Sequence, residues 1–212
     1  MPRWSNRKGY VKPKDLAWKP TGEYGGFEHP EYAKISRTAI YKNGNFLFDS
    51  FKITEKPGAI IVPWEVDAQN QVRVGMANAE RHYPRQVFLE FPRGFGEKGE
   101  RPIETAYREL FEETELVADG DADIVNLGLN NPNSSFFEHA IPVVAIRFDS
   151  IGKKDHPKQI DAIERILNVQ AYTKRQAYEN MYVAEKQSCG MTSAPIGMFD
   201  YYITTNHPKL QF

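Results

Sequence analysis

Gly94–Leu116 reads GFGEKGERPIETAYRELFEETEL, and the organisation of the chain turns on its second half. Residues three and four apart share one face of a helix, so Glu109, Glu112 and Glu113 converge if this segment is helical. Three anions that close repel one another, and the usual compensation is a hard divalent cation bound through oxygen. Ile103, Ala106, Tyr107, Leu110 and Thr114 fall on an adjoining side, which suits a helix laid on a sheet. Pro102 fits the first turn, where a missing N–H costs nothing. Arg108 can pair with Glu104 or Glu112 at four-residue spacing. On these residues alone, a solvated charged face held by such pairs is the simpler account.

Outward from the helix, the preceding sequence is rich in strand patterns. VFLEF (87–91) is a short strand ending at Pro92; AIIVPWEV (59–66) and QVRVGMA (71–77) form a hairpin about a polar turn at 67–70. KISRTAIYKNGNFLFDSFKI contains a second hairpin, turning at Asn43-Gly44. Residues 1–33 read as an N-terminal arm, 34–58 as a β-hairpin segment and 59–212 as the main domain. The arm is basic and reads as a lead-in packed on the domain, with RNA contact as the alternative. Beyond the helix, 124–129, 140–148 and roughly 162–169 are strands. Thr173 caps a second helix that Gly190 stops, and the aromatic tail MFDYYITTNHPKLQF carries no clear period. The pattern is α+β: a mixed sheet with helices on it.

Composition narrows the setting. The chain has 212 residues and a formal net charge of −1, so bulk charge argues for neither nucleic acid nor an acidic partner. No apolar run is long enough to span a membrane, and the N-terminus lacks the apolar core of a secretory signal. Its single cysteine, Cys189, points to a reducing compartment, read as the cytoplasm.

Gly94, Glu100, Arg108, Glu109, Leu110, Glu112, Glu113 and Leu116 fit the pattern G-x5-E-x7-R-E-U-x-E-E-x-G-U, in which U is bulky and aliphatic. The chain therefore resembles the Nudix hydrolases. Chance filling of the six fixed Gly, Glu and Arg positions has odds on the order of 10⁻⁷ per window. One position departs: Glu115 stands where the family has glycine. Either Glu115 enters a left-handed turn at a cost of about 1–2 kcal/mol, or the helix runs on to Gly120.

The resemblance implies an α/β/α sandwich with a mixed sheet, and Mg²⁺ (or Mn²⁺) held by Glu109, Glu112 and Glu113 with the Gly94 carbonyl. Arg108 and Glu100 match positions that orient the carboxylates and tie the loop to the helix. The implied activity is hydrolysis of a nucleoside diphosphate linked to another moiety. Glu90-Phe91-Pro92-Arg93-Gly94 resembles the E-L-P-x-G segment of the ADP-ribose pyrophosphatase-like branch, making Glu90 a further carboxylate near the metals. Arg81 falls where that branch has an arginine before its substrate loop, and its planar fork suits a phosphate. The branch also implies an N-terminal sheet packed across a homodimer, and a general base in a later loop: Asp155, Asp161 or Glu164. The alternatives are another nucleotide substrate (an oxidised triphosphate, a dinucleoside polyphosphate, NADH or an RNA cap) and a non-catalytic nucleotide-binding module.

Overall fold

The computed structural model describes residues 19–28, 33–81, 85–117, 124–155, 165–182 and 189–212. They fall into two compact units: residues 1–55 with 134–138, and residues 56–133 with 139–212.

In the first unit, β1 (Lys19–Glu28), β2 (Ala33–Lys42) and β3 (Asn45–Glu55) form an antiparallel sheet in that order. Asn43 and Gly44 take φ of 51° and 81°, the two positive values that a tight hairpin matched to strand twist requires. Strand β1 lies in the segment read above as an arm. Its glycines disguise it, because Gly and Pro normally weaken a strand. Here Gly26 serves close approach: a Cβ would sit 2.1 Å from the Ile35 carbonyl oxygen, and the pairing bulges between Tyr24 and Gly26. Residues 134–138 run beside β3, with the Ile53 N–H donating to Phe136 O (2.7 Å) and the Glu138 N–H to Ile53 O (2.9 Å). Strand β3 leaves Phe46, Leu47, Phe48 and Phe51 exposed.

The second unit is a mixed sheet with helices on both faces. Its strands are β4 (Gly58–Val66), β5 (Val72–Arg81), β6 (Gln86–Glu90), β7 (Arg93–Phe95), β8 (Ile124–Asn130), β9 (Ile141–Arg147), β10 (Lys153–Asp155) and β11 (Arg165–Thr173). Their order is β10-β11-β5-β4-β9-β8, with β6 paired to β5 and β7 to β4; β4 and β9 run parallel. Alternation divides the core. Ile60, Val62 and Trp64 of β4 and Val143 and Ala145 of β9 face one cluster, while Ala59, Ile61, Val144 and Ile146 face the other.

Helix α1 (Pro102–Thr114) covers the second face with Ala106 and Leu110, both fully buried. Burying Leu110 alone contributes about 2 kcal/mol. Helices α2 (Lys174–Met181) and α3 (Gly190–Asn206) cover the first face with Ala177, Met181, Ile196, Phe199 and Ile203. Thr173 caps α2 as expected: its Oγ1 accepts from the Gln176 N–H at 3.2 Å, and the Gln176 side chain accepts from the Thr173 N–H at 3.0 Å.

Two boundaries differ from the sequence reading. Helix α2 ends at Met181, and Gly190 opens α3 instead of stopping α2. Strand β11 runs past the expected end at 169 to the α2 cap, and residues 162–164 of the expected strand lie outside the described residues. The tail that gave no period is largely α3. A helix with apolar residues around most of its circumference has no stripe for periodicity to find.

Glu115 resolves the alternative posed above. It sits at φ 56°, ψ 19°, in the left-handed region, and its N–H donates to Phe111 O at 2.8 Å. The helix therefore stops at Thr114, whose hydroxyl bonds back to Leu110 O and accepts from the Leu116 N–H. Gly120 lies outside the described residues. Glu115→Gly is expected to raise stability by about 1 kcal/mol, a melting shift of a few degrees, by removing that backbone strain. An unchanged or lower Tm would contradict the strain assigned to this turn.

Candidate active site

Helix α1 and the loop that precedes it are joined through one guanidinium. Arg108 donates from Nε to Glu100 Oε1 (3.0 Å) and from Nη2 to Glu100 Oε2 (3.1 Å) and the Phe95 carbonyl (2.7 Å). Its Nη1 donates to Glu109 Oε1 (2.8 Å) and Glu112 Oε2 (3.0 Å). Arg108 thus ties loop to helix while lying between Glu109 and Glu112, two of the three α1 carboxylates expected to hold metal. Glu100 completes the loop by accepting from the Glu97 N–H (2.8 Å) and the Thr105 hydroxyl (3.0 Å). The first turn of α1 is fixed in part by Glu104, which accepts from the Arg101 N–H at 2.8 Å.

Gly94 positions the next group. It pairs with Ala59 in the β4–β7 ladder, and a Cβ at Gly94 would lie 2.0 Å from Glu109 Cδ. The Glu109 carboxylate therefore rests on the bare Cα of Gly94. Gly58 provides a similar clearance, since a Cβ there would lie 2.3 Å from the Gly94 carbonyl oxygen. The loop is anchored at Gly96, whose N–H donates to Pro57 O at 2.7 Å. Glu113, the third carboxylate, accepts from the Arg93 N–H at 3.2 Å.

A second cluster lies at the end of β6. Glu90 is 3% exposed and its Oε2 accepts from Arg81 Nε (2.9 Å) and Nη2, and from Arg93 Nη1 (3.0 Å). The structure thus joins Arg81 and Glu90, which were read separately as a phosphate contact and a carboxylate near the metals. It also adds Arg93, which the sequence reading passed over. Arg93 is the variable position of its five-residue segment, and its link to Glu90 spans a strand turn, where helical spacing rules do not apply.

Among the described residues, no three carboxylate, histidine or thiol side chains form a ready cluster of metal ligands. The α1 carboxylates are instead turned to protein donors: Glu109 and Glu112 to Arg108, Glu113 to the Arg93 N–H. Asp155 lies on β10, opposite Asn168 of β11. Asp161 and Glu164 lie outside the described residues.

Charge follows the geometry. The Arg108 guanidinium, aided by the Glu97 N–H, lowers the Glu100 carboxyl from an ordinary 4.5 to about 2. The same pairing, led by Glu100, raises the Arg108 pKa above its ordinary value. A carboxyl with a depressed folded-state pKa stabilises the protein above its unfolded pKa, and that contribution fades as pH falls through the folded value. Stability is therefore expected to decline between about pH 4.5 and 2 in part through Glu100. Glu100→Gln should be less stable near neutrality and show a shallower decline in urea unfolding across that range; an identical slope would contradict the assignment.

Comparison with known proteins decides the family. The family model described as "NUDIX domain" matches residues 56–184, well over half of the chain. This chain belongs to the Nudix family. As a Nudix hydrolase it shares its fold with a solved structure titled "Crystal structure of ADP compounds hydrolase", at TM-score 0.60 and 11% identity, over 91% of this chain and 97% of that chain. No curated protein matches the chain. Among the described residues, no helix of this Nudix protein is long and apolar enough to cross a membrane.

Proposed function

We propose that this Nudix hydrolase is a Mg²⁺-dependent pyrophosphatase of ADP-ribose or a similar nucleotide sugar, with Mn²⁺ able to replace Mg²⁺. The observation that carries the proposal is the Glu109 carboxylate seated on the bare Cα of Gly94, with Glu112 held through the same Arg108 nitrogen. Any side chain on that glycine would displace an oxygen donor from the loop–helix junction. The donor set is carboxylate and carbonyl oxygen, which suits a hard divalent cation. Glu109, Glu112, Glu113 and the Gly94 carbonyl would hold it, with Glu90 the adjoining carboxylate. Bound there, the ion supplies charge neutralisation for the pyrophosphate and acidifies water.

The remaining work belongs to the chain. Hydrolysis forms a bond from water oxygen to one phosphorus and breaks the bridging P–O bond, so each fragment leaves as a monophosphate. ADP-ribose would give AMP and ribose 5-phosphate. Arg108 acts as the hub that keeps Glu109 and Glu112 in register with the loop, and a lysine could not replace its several directed donors. Arg81 offers a guanidinium to the phosphates. Asp155, Asp161 and Glu164 are the candidate bases for removing the water proton. The ADP-ribose assignment draws on the Glu90–Gly94 segment and agrees with a similar fold whose title names ADP compounds.

Product analysis across ADP-ribose, nucleotide sugars, an oxidised triphosphate, a dinucleoside polyphosphate, NADH and capped RNA tests this reading. Two monophosphates from ADP-ribose, formed only with Mg²⁺ or Mn²⁺, are expected. Tight binding with no hydrolysis in either metal would favour the non-catalytic module and overturn it. A cytoplasmic location, a small-molecule nucleotide as partner and no role for nucleic acid complete the proposal. The exposed Phe46, Leu47, Phe48 and Phe51 of β3 support packing across a homodimer. A monomeric mass at micromolar concentration would contradict that packing.

A further inference from the structure

We infer that Arg93 is a specificity-determining residue: with Arg81 it forms a two-guanidinium clamp for the diphosphate of the substrate, held open by Glu90. The inference rests on the proposed pyrophosphatase reading and adds a substrate contact to it. Glu90 is buried and its Oε2 accepts from both guanidiniums, each on an arginine side chain that is 20% exposed.

Donor accounting gives the direction. Arg93 spends Nη1 on Glu90 Oε2 at 3.0 Å, and its other guanidinium N–H groups bond to no described residue. One carboxylate oxygen thereby fixes both guanidiniums, which limits the rotamer entropy that phosphate binding would otherwise cost. The backbone supplies the proximity. The Arg93 N–H donates to Glu113 Oε2 at 3.2 Å, and the next residue is Gly94, against which Glu109 rests. The same residue therefore adjoins the carboxylates with its main chain and presents a fork-shaped donor with its side chain. A doubly charged pyrophosphate spanning the two clusters would meet oxygen-bound metal charge on one side and Arg81 with Arg93 on the other.

The test compares wild type, Arg93→Ala and Arg93→Lys on the substrate that the product panel identifies. KM is expected to rise about tenfold or more in Arg93→Ala, the scale of one lost charge-assisted hydrogen bond. Arg93→Lys should recover part of the loss, and the Mg²⁺ concentration for half-maximal rate should be unchanged. An unaltered KM overturns the inference. So does a fall in kcat with weaker Mg²⁺ dependence at constant KM, which would mean that Arg93 acts only by holding Glu113. If wild type hydrolyses nothing in the panel, the pyrophosphatase reading fails separately. Calorimetric binding of ADP-ribose with Mg²⁺ then decides the clamp: weaker binding by Arg93→Ala supports it, and equal binding overturns it.

Discussion

Glu113→Gln is expected to lower kcat on the order of 10³-fold, equivalent to about 4 kcal/mol of transition-state stabilisation. The substitution keeps the shape of the side chain and an oxygen able to accept from the Arg93 N–H, the bond seen at 3.2 Å. Little of the fold should change, and the Tm should move by no more than a few degrees. What disappears is the negative charge proposed to face the cation. A glutamine oxygen is a weaker ligand for a hard ion than a carboxylate, so the loss should appear in turnover and in metal dependence together. Steady-state rates at saturating and limiting Mg²⁺ check this, and a variant as active as wild type would remove Glu113 from the proposed ligand set.

The second large effect comes from a single methyl group. Gly94→Ala would place a Cβ 2.0 Å from Glu109 Cδ, so one of them must move. The carboxylate is the far end of a flexible side chain and will yield before the β4–β7 backbone does. Stability should therefore stay close to wild type. Activity should fall about 100-fold, because catalytic groups tolerate displacements of only about 1 Å. Matched unfolding curves and rates separate the two effects. Loss of stability without loss of rate would mean that the glycine serves folding alone.

Much of this architecture was legible because local chemistry and global packing agree along the central segment. Pro102 opens α1, the 43–44 turn adopts the positive φ values that Asn-Gly allows, and the apolar stripe of α1 meets the sheet. The family pattern was legible because it specifies side chains at fixed spacing, and spacing survives in one sequence. Other parts were hidden for physical reasons. Strand β1 needs Gly26 for backbone clearance, and its Gly-rich composition imitates a loop. Helix α3 has no polar face from which to infer a period. Arg93 lacked any spacing signal, since its partner Glu90 reaches it around the turn between β6 and β7. Glu115 was readable as an anomaly, but the choice between stopping the helix and extending it required the backbone angles.

The measurement that bears most directly on the account is Mn²⁺ binding by wild type and Glu113→Gln, followed by loss of the free-ion paramagnetic resonance signal. It requires no guess about the substrate and reads the proposed ligand set itself. Wild type is expected to bind Mn²⁺, with Mg²⁺ competing, and Glu113→Gln to bind at least tenfold more weakly. Equal binding by the two proteins, or none by wild type, would contradict a metal centre built on helix α1.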